Sequence, residues 1–224
     1  MRNIPLTVRF IIQPERQNLY EEFSQQVLSL QEDPESPINY QLPSTWIRST
    51  ENKLRFLVPY NSDEYTSMVN CFDQTMKGIY TSIIRIERIQ NQRWFLQYQV
   101  HRQEFNKRLA TDTERLLYHG CSQSAANLII EDCFNRSFAG AHGTTYGIGV
   151  YFSSDASYSN NFTEVNSNGE RCMFVARVLV GNTTQGNRSI KTRPVGFDST
   201  TDGKHIFVIY HDAQAYADYL ITYK

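Results

Sequence analysis

The chain has 224 residues, 40% hydrophobic and 20% charged, with 22 Lys and Arg against 23 Asp and Glu. That length buries a full core without disulfide or metal staples and suits one ordinary domain with a short extension. The formal charge of -1 excludes a basic field able to hold a nucleic-acid backbone by electrostatics alone, so nucleic acid is not expected as a partner.

The N-terminal stretch MRNIPLTVRFIIQPER has a short apolar run, broken by Arg9 and stopped by Pro14. It does not read as a signal peptide, and no stretch of the chain approaches a membrane span. Residues 8–12 read as a strand, followed by a helix with Leu19, Phe23, Val27 and Leu30 on one stripe. Glu32-Asp33-Pro34-Glu35-Ser36-Pro37 is polar and twice interrupted by proline, as a linker is. Residues 1–37 are thus expected to be a strand-helix extension with its linker, whose role the sequence leaves open. A strand is expected over 54–59, then a helix carrying Tyr65, Met68, Val69, Phe72 and Met76 at helical spacing. Ile84 and Ile86 alternate with Arg85 and Glu87 as in a half-buried strand. Asn91 can cap the next helix, which places Trp94, Tyr98 and Phe105 along one face.

From residue 114 the texture changes to short strands between irregular loops. Strands are expected over 115–118, 149–152, 173–180, 206–210 and 219–223, with one helix around 125–130. This is neither a βαβ alternation nor a repeat array. The expected fold class is α+β, a split and mostly antiparallel β-sheet with flanking helices. The four cysteines, Cys71, Cys121, Cys133 and Cys172, form no Cys-x-x-Cys pair and have no histidine at ligand spacing. Neither a zinc site nor a disulfide framework is indicated, and no metal is expected. They read as reduced cysteines of a soluble intracellular protein, cytoplasmic or nuclear.

The segment HGTTYGIGVYFSSDASYS, residues 142–159, raises the possibility of a nucleotide site. A dinucleotide fingerprint needs its glycines to open a helix, with the helix N-terminus at the pyrophosphate. Here Gly147-Ile148-Gly149 runs into Val150-Tyr151-Phe152, three β-formers, so the glycines lead into a strand. Further features are Leu116-Leu117-Tyr118-His119-Gly120, then Tyr158-Ser159 with Phe162 three residues on, and the apolar run Ile206-Phe207-Val208-Ile209-Tyr210. Singly, each has a bland explanation: a surface or satisfied histidine, core tyrosines, a turn, a core strand.

Taken in order they resemble the catalytic domain of the poly(ADP-ribose) polymerase family, within the diphtheria-toxin-like ADP-ribosyltransferases. The resemblance runs over about residues 42–224. It begins at Leu42-Pro43-Ser44-Thr45-Trp46 and continues through Ile86-Glu87-Arg88-Ile89-Gln90-Asn91, His119-Gly120 and Phe134-Asn135-Arg136-Ser137-Phe138. It then takes in Tyr146-Gly147-Ile148-Gly149-Val150-Tyr151-Phe152 and Gln214-Ala215-Tyr216-Ala217-Asp218-Tyr219-Leu220-Ile221-Thr222. It implies the ADP-ribosyltransferase fold and NAD as co-substrate. His119 matches the histidine that hydrogen-bonds the adenine-side ribose, and Gly120 the glycine whose backbone pairs with the nicotinamide carboxamide. Tyr151 matches the tyrosine beside the nicotinamide ribose, and Ser159 a serine that also binds the carboxamide. Phe162 falls near the usual stacking tyrosine, keeping the ring and losing the hydroxyl. Asn135 and Arg136 lead into the donor loop, with no contact assigned.

The residue types suit the chemistry the resemblance implies. Nicotinamide leaves NAD from an already cationic state, so no acid need protonate it, unlike glycoside hydrolysis with its two carboxylates. Clamping and polar stabilisation supply much of the rest. Counting back from Gln214, Ile206 matches the position that is glutamate in the polymerising members, and isoleucine has no acceptor atom. A His119, Tyr151, Ile206 triad therefore implies the mono-ADP-ribosyltransferase branch, with single units passed to protein acceptors. A catalytically inactive module holding NAD or a peptide is the main alternative; modification of nucleic-acid ends is another. The resemblance brings no zinc fingers and no long helical regulatory domain, so activation by DNA breaks is not expected. His101, His142, His205 and His211 receive no role, as solvated or packing residues.

Overall fold

The computed structural model describes residues 42–47, 54–139 and 143–224. The strand, helix and linker expected over 1–37, and His142, lie outside the described residues. Residues Leu42–Lys224 make one compact unit. Its elements in chain order are β1 (Arg55–Leu57), α1 (Asp63–Met76), β2 (Ile83–Ile89), α2 (Gln92–Leu109), β3 (Glu114–Cys121) and α3 (Gln123–Asp132). These are followed by β4 (Val150–Ser153), α4 (Ala156–Asn160), β5 (Arg171–Leu179), β6 (Thr183–Gln185), β7 (Ser199–Thr201), β8 (Ile206–Ile209) and β9 (Ala215–Tyr223).

The nine strands form one sheet in the order β1-β2-β9-β5-β3-β4-β8-β7-β6. Only β6 and β7 run parallel, as the α+β reading expects. β3 pairs with β5 over eight residue pairs, from Glu114–Leu179 to Cys121–Cys172, and β4 with β8 over four. Between β3 and β4 a single pair, Tyr118–Ser153, is in register. This is the split: two well-knit half-sheets meet at a narrow seam.

The core lies on both faces of the central strands. On one face Leu117, Phe174, Ala176, Val178 and Leu220 pack with Ala126, Ile130 and Phe134, the first two from α3. On the other, Met173, Val175, Ile221 and Tyr223 receive Met68, Phe72 and Met76 of α1, whose four-residue spacing gives α1 its buried stripe. Ser62 caps α1 by accepting from Tyr65 N–H at 3.1 Å. Asn91 caps α2 through its Oδ1 and donates its Nδ2–H to Ile130 O at 2.8 Å, tying the start of α2 to α3.

Several local expectations shift. Phe95, with Tyr98 and Phe105, is buried on α2, while Trp94 is only half-buried. Ile84 is 41% exposed although Ile86 is fully buried, because the β2–β9 register slips between Ile83 and Arg85, inserting a residue and breaking the alternation. β9 starts four residues earlier than expected, at Ala215; its two alanines mask a strand that propensity alone disfavours. His119 and Gly120 lie within β3, which continues to Cys121.

Candidate active site

A cleft of about 920 Å³ opens at the seam. It is lined by His119 and Gly120 of β3, Tyr151 of β4, Ser159 of α4, Phe162 just beyond it and Ile206 at the start of β8. All six residues singled out from the sequence are thus brought together.

Each is held by a specific local arrangement. The His119 Nδ1 lies 2.8 Å from the backbone oxygen of Tyr151. A carbonyl can only accept, so Nδ1 carries a hydrogen. The same bond crosses the seam. Phe134 and Phe152 wedge the imidazole, with ring centroids 5.2 and 5.4 Å away. At Gly120 a Cβ would run into the Ser159 carbonyl and crowd Thr163; the strand and α4 touch here only because position 120 is bare. Ser159 is buried, and its hydroxyl donates to Tyr118 O at 3.1 Å.

Tyr151 presents its ring to the cleft and commits its hydroxyl to the glycine turn. The hydroxyl donates to Gly147 O at 2.8 Å and accepts from Tyr146 N–H at 2.9 Å. Burial pushes its pKa up. Gly147 has φ +130, which L side chains rarely adopt, and a Cβ there would meet the Tyr210 hydroxyl. Gly149, at the entry to β4, has its Cβ space taken by Ile209 O. Phe162 is half-buried and tilted against Tyr158, centroids 5.3 Å apart.

Ile206 is buried in an apolar cluster with Val208 and Tyr210, against which Tyr146, Tyr151 and Tyr158 pack. Its backbone is fixed from the preceding turn: Asp202 Oδ1 accepts from the N–H groups of Lys204, His205 and Ile206 at 2.8, 2.9 and 2.9 Å. Burial works against the Asp202 carboxylate, but these three donors outweigh it and hold its pKa below the usual range.

His205, expected as a solvated or packing residue, packs at the cleft. It lines the cleft, with Nδ1 3.1 Å from Ser153 Oγ and its ring edge-on to Tyr158 at 4.8 Å. His101 and His211 instead stack on each other, centroids 4.3 Å apart. Asn135 lines the cleft and caps a short turn by accepting from Ser137 N–H at 2.8 Å. Phe134 and Phe152, present in the motifs, lie against His119; they receive no role from the sequence, because apolar residues that brace a site look like any other core.

Residues 62–204, more than half of the chain, match the family profile described as the poly(ADP-ribose) polymerase catalytic domain. The chain belongs to this family. The matched span of this polymerase-family domain contains His119, Gly120, Tyr151, Ser159 and Phe162 and ends two residues before Ile206. Among similar proteins, protein mono-ADP-ribosyltransferase PARP10 of Mus musculus is 38% identical over 179 residues, covering 73% of this chain and 19% of its own length. Protein mono-ADP-ribosyltransferase PARP14 of Homo sapiens is 32% identical over 212 residues, covering 88% of this chain and 12% of its own length. Protein mono-ADP-ribosyltransferase PARP12 of Homo sapiens is 34% identical over 176 residues, or 73% of this chain and 24% of its own. The chain therefore spans about a quarter or less of these relatives. Among the described residues no helix is long and apolar enough to cross a membrane.

Proposed function

We propose that this chain is an NAD-dependent transferase that passes single ADP-ribose units to protein acceptors and releases nicotinamide, through a catalytic module spanning 42–224. The observation that carries the reading is the meeting of His119 and Tyr151 across the seam, 2.8 Å apart between Nδ1 and O, in a cleft that Ile206 also lines. The similarity to three proteins named as mono-ADP-ribosyltransferases supports it.

The residues fit NAD as substrate. The bare backbone at Gly120, kept bare by the Ser159 carbonyl, suits an amide approaching edge-on, and the Ser159 hydroxyl is a rotatable partner beside it. Tyr151 and Phe162 offer ring faces on which a pyridinium can stack. The His119 ring, oriented by Tyr151 O, lines the cleft as a polar group suited to a ribose hydroxyl. The reaction breaks the bond between nicotinamide and ribose and gives the ribose carbon to the acceptor. The leaving group is already cationic, so the reading assigns no metal and no general acid. Orientation within a partly dried cleft is the main contribution of the protein. Ile206 has no oxygen with which to activate a ribose hydroxyl of a growing chain, so one unit is passed and elongation fails. All four cysteines are free, which suits a reducing compartment, cytoplasm or nucleus.

The test uses labelled NAD with the purified protein and a cell lysate on a denaturing gel, beside His119→Ala. Discrete labelled bands lost in the variant are expected. A high smear overturns the single-unit reading. NAD binding without label or free nicotinamide shows a binding module instead.

A further inference from the structure

Cys121 and Cys172 are opposed residues of β3 and β5, on the sheet face that also carries Phe174 and receives Phe134. Both are reduced and buried. The Cys172 thiol donates to the Cys121 carbonyl oxygen, its sulfur 3.5 Å away. Cys121 lines the cleft, directly after Gly120. The proposed transfer reaction uses neither sulfur.

We propose that Cys121 and Cys172 form a redox-modifiable dithiol, oxidised to a disulfide by peroxide entering through the cleft, which weakens binding of NAD. The inference rests on the functional reading above for its effect, and on strand geometry for its chemistry.

The register runs without interruption from Glu114–Leu179 to Cys121–Cys172. Val180 N–H bonds to Thr113 O at 3.3 Å one step beyond it, so counting by twos places the cysteine pair in the hydrogen-bonded phase of the ladder. Cα atoms in that phase are about 5.5 Å apart, inside the disulfide range of roughly 4.4–6.8 Å. Their Cβ atoms sit wider than the roughly 3.8 Å that a disulfide prefers, so closing the bond must draw the strands together locally. Gly120 takes that movement, and it has no slack, being packed on the Ser159 carbonyl. A bond closed against such resistance is readily reduced, the property of a regulatory disulfide rather than a structural one. The thiols are electrostatically unequal. The neighbouring Cys172 thiol, with burial, pushes the Cys121 pKa up, while the Cys121 thiol and the Arg55 and Arg85 guanidinium groups bring that of Cys172 down, against burial and Glu87. One sulfur of the pair is thereby favoured as thiolate, the reactive form.

The step balances. A thiolate sulfur attacks peroxide, is oxidised to the sulfenic acid and releases hydroxide. The second sulfur displaces hydroxide from the first and forms the S–S bond. The two thiol protons and the two hydroxides leave as water.

The test exposes the purified protein to hydrogen peroxide, then blocks remaining thiols and maps peptides without reduction. Binding of NAD and nicotinamide release are followed in the same samples, before and after a dithiol reductant. A linked peptide joining Cys121 to Cys172 is expected, with a rise in the Kd for NAD of about ten- to a hundredfold, the scale of a small misplacement of a clamp, reversed by reductant. Cys172→Ala, and Cys172→Ser should the alanine variant fold poorly, should keep the affinity of the reduced protein and resist peroxide. Absence of the linked peptide overturns the proposal, as does a linked peptide with unchanged NAD affinity, or equal peroxide sensitivity in the Cys172 variants. Reduced protein that binds NAD yet releases no nicotinamide refutes the transferase reading alone, since peptide and affinity still report on the dithiol.

Discussion

Gly120 and Ile206 show how closely single positions are constrained here. Gly120→Ala drives a methyl group into the Ser159 carbonyl, so α4 must back away from β3. The expected result is a KM for NAD raised at least about tenfold with a lowered melting temperature, read by steady-state nicotinamide release and a thermal scan. Ile206→Glu is expected not to create a polymerase. It buries a carboxylate among Val208, Tyr210 and Tyr151 and costs about 2–4 kcal/mol, measurable by urea denaturation, and its labelled products should remain discrete bands. The positions lining the cleft from β3, β4 and β8 were legible because they fall in short ordered motifs. His205 was not, since a histidine beside an isoleucine carries no pattern until Asp202 gathers both their N–H groups. The Cys121–Cys172 pair was invisible for another reason: opposition across strands is a matter of register, and register is not written in spacing.

Helix α4 has five residues and was not expected, because Asp155-Ala156-Ser157-Tyr158-Ser159 has no apolar period to reveal it. What builds it is a cap: Asp155 Oδ1 accepts from Ser157 and Tyr158 N–H at 2.8 and 3.4 Å. Asp155→Ala should cost about 1 kcal/mol and, because α4 carries Ser159, raise the KM for NAD with little change in kcat. The turn before β8 is held by charge. Asp202 has its folded pKa held below the ordinary 3.8, so its contribution is complete above that value and fades as pH falls through the folded pKa. The stability gap between the native chain and Asp202→Asn should therefore be constant near neutrality and close below about pH 4, as urea titrations at stepped pH would show. The longer helices α1 and α2 were legible from their apolar spacing and caps. Strands β6 and β7 were missed, being three residues each and polar.

β9 lies between β2 and β5, so the last nine strand residues of the chain are an interior strand paired on both edges. Removing residues 215–224 should abolish cooperative unfolding altogether rather than trim stability, and in hydrogen exchange β5 and β9 should be the slowest segments while β6 and β7 exchange early. The α+β class and the split sheet were readable from the change of texture after residue 114; the strand order was not, because it depends on which long-range pairs win. The split has a mechanical consequence. With one residue pair in register between β3 and β4 and the His119–Tyr151 bond beside it, the cleft walls behave as two stiff plates on a compliant joint. A molecule that grips both plates acts as a brace. Fragments of NAD confined to one wall should then leave the joint's breathing unchanged, whereas any compound bridging Gly120 and Tyr151 should stiffen it, whatever its affinity.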